Sequence, residues 1–344
     1  MGVLAGYIIR RLLLMIPTFF GVTFLVFTLC QFVPGGPIDQ LIMAAAGTGG
    51  GGEGGGGSAA RGGVHLSERE LAYFKEYYNF GKPLHLAYWE YVGKTVRLDL
   101  GTSMKYSRPV SEIIAQRLPV SIYYGLVTTI LAYAICIPLG MLKAVWHRTW
   151  VDNTTSILIF LGYAIPNFAL GAFLLVLFSV RYEWFPLGGF KSGEFETMTP
   201  LQQAGDLVWH SVLPIVSLMA GGLATFTMLT KNSLMENMSA DYVRTALASG
   251  LSRRRAVFIH AMRNSLIPLA TSFGNNISLI LAGNLLVERV FNIPGIGLLF
   301  FESMTARDYP MVMGLTAISA LLLLVGNLLS DLCVAAVDPR VRFS

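Results

Sequence analysis

Residues 239–265 read SADYVRTALASGLSRRRAVFIHAMRNS, a polar and basic stretch set between two apolar runs, 209–230 and 266–288. Ser239 is a good N-cap, and Asp241 falls in the first turn, where the helix dipole favours an acid. Ala246 and Ala248 are strong helix formers, and Gly250 supplies a left-handed stop. The spacing predicts one helix of about ten residues, too short to hold its shape alone in water, so it must dock on something. Ser252 can cap a second helix, whose Arg253, Arg254 and Arg255 sit near the lipid headgroups. Anchoring to anionic lipid accounts for the charge of those arginines. It does not account for a short helix, a glycine stop and a second helix placed between two membrane spans. That arrangement suits a knob that plugs into a partner's groove.

Working outward, composition supports the membrane setting. Apolar residues make up 54% of the chain and charged residues 13%, against about 25% charged in soluble domains. Several apolar stretches reach the roughly 20 residues that cross a bilayer. The expectation is an all-α membrane protein of about six transmembrane helices, at 10–32, 119–143, 154–180, 209–230, 266–288 and 311–336. The first run follows Arg10 and Arg11 like the start of a signal peptide. It exceeds the roughly 7–15 residues of a signal core, and Gln31-Phe32-Val33-Pro34 is a poor cleavage site, so it reads as an uncleaved helix.

The chain then divides into a first helix (1–33), an outer segment (34–118), a five-helix core (119–336) carrying the 231–265 segment, and a tail (337–344). Within the outer segment, 47–63 is mostly glycine and cannot bury enough apolar surface to order itself. Ser67 with Glu70 makes a capping-box start for short helices after it. Lys and Arg set the orientation. With the N-terminus, the 143–153 turn, the 231–265 segment and the tail on one side, that side holds 12 of the 25 basic residues against five acids, counting Asp331 near the end of the last helix, net +7, while the whole chain is +5. That side is expected in the cytoplasm, with both termini. The modest basicity calls for lipid headgroups as partners and for no nucleic acid.

Pro166 interrupts the third helix within GYAIPNFALG, and Pro138 and Pro214 lie near the ends of the second and fourth. Proline removes a helix hydrogen bond and kinks the rod. Neighbouring helices can absorb such kinks, or the kinks shape a central cavity. Cys30, Cys136 and Cys333 are far apart, each in or beside an apolar run; they show no metal spacing and read as small buried hydrophobes.

The 239–265 segment resembles the cytoplasmic signature of ABC importer permeases, Glu-Ala-Ala, three residues, Gly, nine residues, Ile-x-Leu-Pro. Gly250 takes the glycine position and Ala246 the second alanine, while Arg244 and Thr245 replace Glu and Ala. DYVRTALASGL followed by HAMRN resembles the variant in the dipeptide, oligopeptide and nickel group. YIIRRLLLMIPTFFGVTFLVF, DLGTSMKYSRPVSEIIAQRLPVSI, ERVFNIPGIG and VDPRVRF are similar to that group too. PGGPIDQ, GYAIPNF, MLTKNSL and ARDYP look most like permeases of microcin C and oligopeptide uptake.

The resemblance implies a type I importer permease, the pore subunit of a transporter. It would pair with a second permease, with two ATPases beneath and a periplasmic binding protein outside. Tyr242, Arg244, Thr245, Ala246 and Gly250 would form the ATPase-coupling site. Pro166, Asn167, Asn275, Asn276 and Asn284 are pore-lining candidates; the asparagines either bond between helices or line a wet cavity for a peptide backbone. No cofactor, metal or catalytic residue is implied. The one Gly-Lys-Thr, Gly93-Lys94-Thr95, has Tyr88 where a P-loop needs glycine, so energy must come from a partner.

Nickel or another small solute stays open as cargo. A secondary transporter would want buried carboxylates, and charge within the spans is almost absent, with Asp331 the main candidate. An intramembrane hydrolase would want a base with an acid, and His210 has no evident acid partner. Glu288 and Arg289 either anchor the outer end of the fifth helix or touch a binding protein.

Overall fold

The computed structural model describes residues 2–32, 82–273 and 283–337. The glycine-rich insert, the Ser67–Glu70 pair, Asn275, Asn276 and the tail after 337 lie outside these. The described helices are α1 (Gly2–Phe32), α2 (Leu84–Val96), α3 (Val110–Val145), α4 (Trp150–Ala164), α5 (Asn167–Leu174, continued by a π-helical turn Leu175–Arg181) and α6 (Pro200–Ser239). They continue with α7 (Asp241–Ala248), α8 (253–265), α9 (Leu285–Val290), α10 (Ile296–Thr305) and α11 (Tyr309–Val337).

Among the described residues four helices are long and apolar enough to cross a membrane, and α4 and α5, which are apolar enough together but meet at 97°, make a fifth if the pair is one broken span and not a re-entrant loop. These correspond to the expected first, second, third, fourth and sixth helices. The expected fifth, 266–288, runs through residues 274–282 and can be followed only at its ends. Its far end differs from the expectation. Gly283 has φ +91°, outside helical geometry, and residues 285–290 form the separate α9, capped by the Asn284 side chain.

Helix ends also differ, because hydropathy reports only the length that lies in lipid. At 1.5 Å per residue the 36 residues of α3 and the 40 of α6 run to about 54 and 60 Å, well past a hydrocarbon core of about 30 Å. Helix α6 starts at Pro200, nine residues before the apolar run. Thr199 and Gln202 close a capping box there, and proline holds the first helical position, where its missing N–H costs nothing. Pro138 and Pro214 stay inside unbroken helices. Pro166 does more than kink: Ile165 is forced to extended backbone (φ −92°, ψ 125°), and the chain turns through 97° between α4 and α5.

The chain falls into two compact units. One takes residues 1–11, 117–298 and 322–344. Here α4 and α5 pack on α6, α9 on α5, and α7 and α8 on each other and on the end of α6. Its larger apolar core gathers Val120, Tyr124, Leu213, Met219, Phe291 and Ile293 among others. The other unit takes 12–116 and 299–321, with Phe27, Tyr88, Tyr91, Val92 and Met313 at its core. Tyr88 donates to the Phe20 carbonyl at 2.8 Å and pairs with Thr23 at 3.0 Å. In this unit the buried Asp308 carboxylate accepts from the Ser103 hydroxyl and from the amides of Met104, Lys105 and Met311. Lys105 Nζ and the Tyr106 hydroxyl both reach Glu302, at 2.9 and 2.8 Å. Burial disfavours the Lys105 ammonium, but its own interactions with Glu302 and Tyr106 outweigh that and hold its pKa above the usual lysine value.

Candidate functional site

The short helix predicted from 239–249 is α7, and it is docked. Val243 is buried and Ala246 half-buried against Ala144 of α3, Leu234 and Met238 of α6, and Ala256, Val257 and Ala261 of α8. This apolar seat supplies what eight residues cannot supply for themselves. Ser239 does not cap α7. It is the last residue of α6, its hydroxyl is taken by the Glu236 carbonyl at 2.8 Å, and Ala240 (φ −70°, ψ 148°) makes the break without a side-chain cap. A serine at a helix end can bond back to its own helix instead of forward. Ser252 holds the N-cap position of α8, also without a side-chain bond.

The stop is as the sequence predicts. Gly250 has φ +90°, its amide bonds the Leu247 carbonyl and that of Leu251 bonds Ala246, the paired bonds of a Schellman motif. A Cβ on Gly250 would meet nothing within 4 Å, so the backbone angle alone requires glycine. Of the five coupling candidates, Tyr242, Arg244, Thr245 and Gly250 are exposed, while Ala246 is turned to the seat.

Next to the seat lies a charge cluster that the sequence reading missed. Asp152, in the first turn of α4, is 3% exposed; Lys143 of α3 is 0% and Lys231 of α6 is 7%. Lys231 Nζ donates to both Asp152 oxygens at 2.8 Å. Lys143 Nζ stands 2.9 Å from Asp152 Oδ1 and also donates to the Asp152 carbonyl, Thr155 and Ser156. The Arg148 amide adds a bond to Asp152 Oδ2 at 3.1 Å. One carboxylate therefore ties the end of α3 and the start of α4 to the side of α6. Sequence reading placed all three charges on short loops. The signal available was that Lys143 and Asp152 bracket a tight turn.

Other charges find partners too. Arg11 Nε is 3.0 Å from Asp331 Oδ2, which accounts for the expected acid near the end of the last helix. His210 has an acid partner after all: Asp206 Oδ1 is 3.3 Å from its Nδ1. The pair is i,i+4 on α6, visible only once the helix is known to begin at Pro200. Glu288 is buried and turned inward, where its carboxylate accepts from the amides of Asn284 at 3.1 Å and Leu298 at 2.6 Å. Gly295 leaves room for it, since a Cβ there would strike the carboxylate. Arg289 is exposed. Glu288 is thus an anchor of the ERVFNIPGIG loop.

A cavity of about 340 Å³ opens between α3, α5 and α6, lined by Thr128, Thr129, Tyr133, Asn167, Thr225, Asn284 and their apolar neighbours. Asn167 and Asn284, two of the pore-lining candidates, share it. Pro166 precedes Asn167 as the N-cap of α5; Asn275 and Asn276 lie outside the described residues. Gly93-Lys94-Thr95 lies within the last turn of α2, in helical geometry unlike a phosphate-cradling loop.

Among known proteins, the chain is 38% identical to the inner membrane ABC transporter permease protein YejB of Escherichia coli O157:H7, over 99% of each. It is 36% identical to the oligopeptide transport system permease protein AppB of Bacillus subtilis, over 99% of this chain and 100% of that one. It is 33% identical to the dipeptide transport system permease protein DppB of Escherichia coli K12, over 98% of each. A chain of the MetNI methionine ABC transporter, solved in inward-facing conformations, aligns at 16% identity and TM-score 0.48, covering 66% of this chain and 96% of that one. Residues 136–343 match the family model for the inner membrane component of binding-protein-dependent transport systems. With relatives matched over nearly their full length, this multi-pass membrane chain belongs to that family of inner membrane transport components.

Proposed function

We propose that this chain forms half of the pore of an ATP-driven peptide importer, and that α7 is the coupling helix through which partner ATPases move it. Permeases of the family carry no ATPase site of their own; hydrolysis belongs to partner subunits. The single observation that carries the reading is the geometry of α7. It is fixed by an apolar seat on one side and presents Tyr242, Arg244 and Thr245 on the other. A helix so held moves as one body with α3, α6 and α8. An ATPase that grips the open face better in one orientation shifts the pore toward that orientation.

The partners in this reading are a second, related permease, two ATPases and a periplasmic binding protein. In this reading α7 and both termini face the cytoplasm, supported by the excess of lysine and arginine on the short loops of that side. Peptides are the favoured cargo because relatives matched end to end are named for oligopeptide and dipeptide transport. Microcin C-like peptides are the narrower assignment, supported by the PGGPIDQ, GYAIPNF and ARDYP stretches.

The test is crosslinking in cells that co-express the ATPases. Cysteine at Tyr242 or Thr245 should form a crosslink to an ATPase. Crosslinks to the ATPase from Trp184 or Leu187, and none from α7, would reverse the topology and remove the coupling assignment.

A further inference from the structure

We propose that the open face of α8 is a binding surface for anionic phospholipid, and that lipid held there keeps the seat of α7 in place; the second part rests on the coupling reading above. α8 has two unlike sides. Ala256, Val257, Ala261, Met262 and Ser265 are buried. The first three belong to the apolar cluster that also holds Ala144 of α3 and Val243 of α7. On the open side Phe258 is 55% exposed and Ile259 51%. Arg253, Arg254, Arg255 and Arg263 are exposed around them, and none forms an ion pair with a described residue. Charge alone brings arginines toward headgroups. It does not call for two large apolar side chains among them.

The neighbouring turn sets the depth of this face. Trp146 and Trp150 flank the turn between α3 and α4, 48% and 76% exposed, with Arg148 exposed between them. Tryptophans at the ends of spans gather at the membrane–water interface. Ala144, which shares the apolar cluster with α8, precedes Trp146 by two residues, about 3 Å along a helix. α8 is thus seated at interface level. There Phe258 and Ile259 reach the acyl boundary, and the arginines meet phosphate, to which a guanidinium can donate two parallel hydrogen bonds. One partner answers both demands, a phospholipid of net negative charge. The open face of α7 is of another kind, with Tyr242, Arg244 and Thr245, and suits a soluble ATPase. Because the inner side of α8 and Val243 of α7 share one apolar cluster, lipid that fixes α8 also fixes the seat on which α7 is driven.

The test uses the whole transporter, with its second permease, ATPases and binding protein, in vesicles of phosphatidylcholine with or without phosphatidylglycerol. Phe258→Trp supplies a probe, read as the difference from the parent chain. Brominated phosphatidylglycerol should quench it more than brominated phosphatidylcholine at equal content, a preference of about fivefold in apparent affinity for each arginine engaged. Arg253→Gln with Arg254→Gln and Arg255→Gln should abolish that preference. Equal quenching by the two lipids, or quenching by neither because protein covers the face, overturns the site. Should the glutamine triple fail to assemble, the comparison of the two lipids on Phe258→Trp decides alone. Peptide imported per ATP hydrolysed should fall severalfold for wild type when phosphatidylglycerol is left out, and should be low for the triple in both vesicles. A wild-type ratio that phosphatidylglycerol does not change overturns the part in coupling. If wild type imports no peptide in either vesicle, the importer reading itself fails, and the quenching still decides the lipid site.

Discussion

Replacing Asp152 by asparagine keeps the shape of the side chain and removes the one negative charge between two buried lysines. Lys231 loses a charge-assisted bond to each carboxylate oxygen. Lys143 keeps its bonds to the Asp152 carbonyl, Thr155 and Ser156 but loses its counter-ion. Breaking a buried pair by removing one partner costs about 3–5 kcal/mol, because a charge stays buried without compensation. Two cations are stranded here, so Asp152→Asn belongs at the upper end of that range. Lys231→Met behaves differently. It leaves Asp152 and Lys143 as a neutral pair at 2.9 Å with the Arg148 amide still in place, and the loss is closer to that of a charged hydrogen bond, about 1.5–3 kcal/mol. The ordering is the sharp part of the prediction. It is read by denaturant titration of the purified chain in detergent, comparing both single variants and the double. The two changes should be strongly non-additive, since either removes their shared contact. An Asp152→Asn cost below about 1 kcal/mol, typical of an exposed pair, or one no larger than that of Lys231→Met, would refute the reasoning.

Other variants separate structural from coupling roles. Gly250→Val forces a β-branched residue to φ +90° at a strain of about 1–3 kcal/mol; the complex should still form, with import per ATP strongly reduced. Gly250→Asn, a residue that tolerates the left-handed region, should retain most of it, and equal loss in both would point away from backbone strain. Asp308→Ala orphans the Ser103 hydroxyl and three backbone amides, and should destabilise the unit around it by about 3 kcal/mol or more, seen as proteolysis within 97–109. Arg11→Gln breaks a half-exposed pair and should cost under about 1 kcal/mol in the same denaturant titration.

The spans were legible because an apolar run of bilayer length is rarely stable anywhere but in lipid, and α7 because Asp241, two alanines and Gly250 mark both its ends. Helix extents were less legible. Hydropathy stops where lipid stops, whereas α3 and α6 continue into polar sequence; Thr199-Pro200 with Gln202 was a readable start signal for α6, and it also accounts for the missed partner of His210. Ser239 misled because the same hydroxyl that caps a following helix can close the preceding one. The Lys143–Asp152–Lys231 cluster joins residues far apart in sequence, and nothing local distinguishes a lysine that anchors at a headgroup from one buried at a helix end. Asn167 and Asn284 could be named from polarity alone.

The most direct measurement is ATP-dependent peptide uptake into vesicles holding this chain with its second permease, its ATPases and the binding protein. The account predicts uptake that requires ATP on the ATPase side and disappears when this chain is omitted. A complete complex that hydrolyses ATP yet imports peptide equally well without this chain would contradict it.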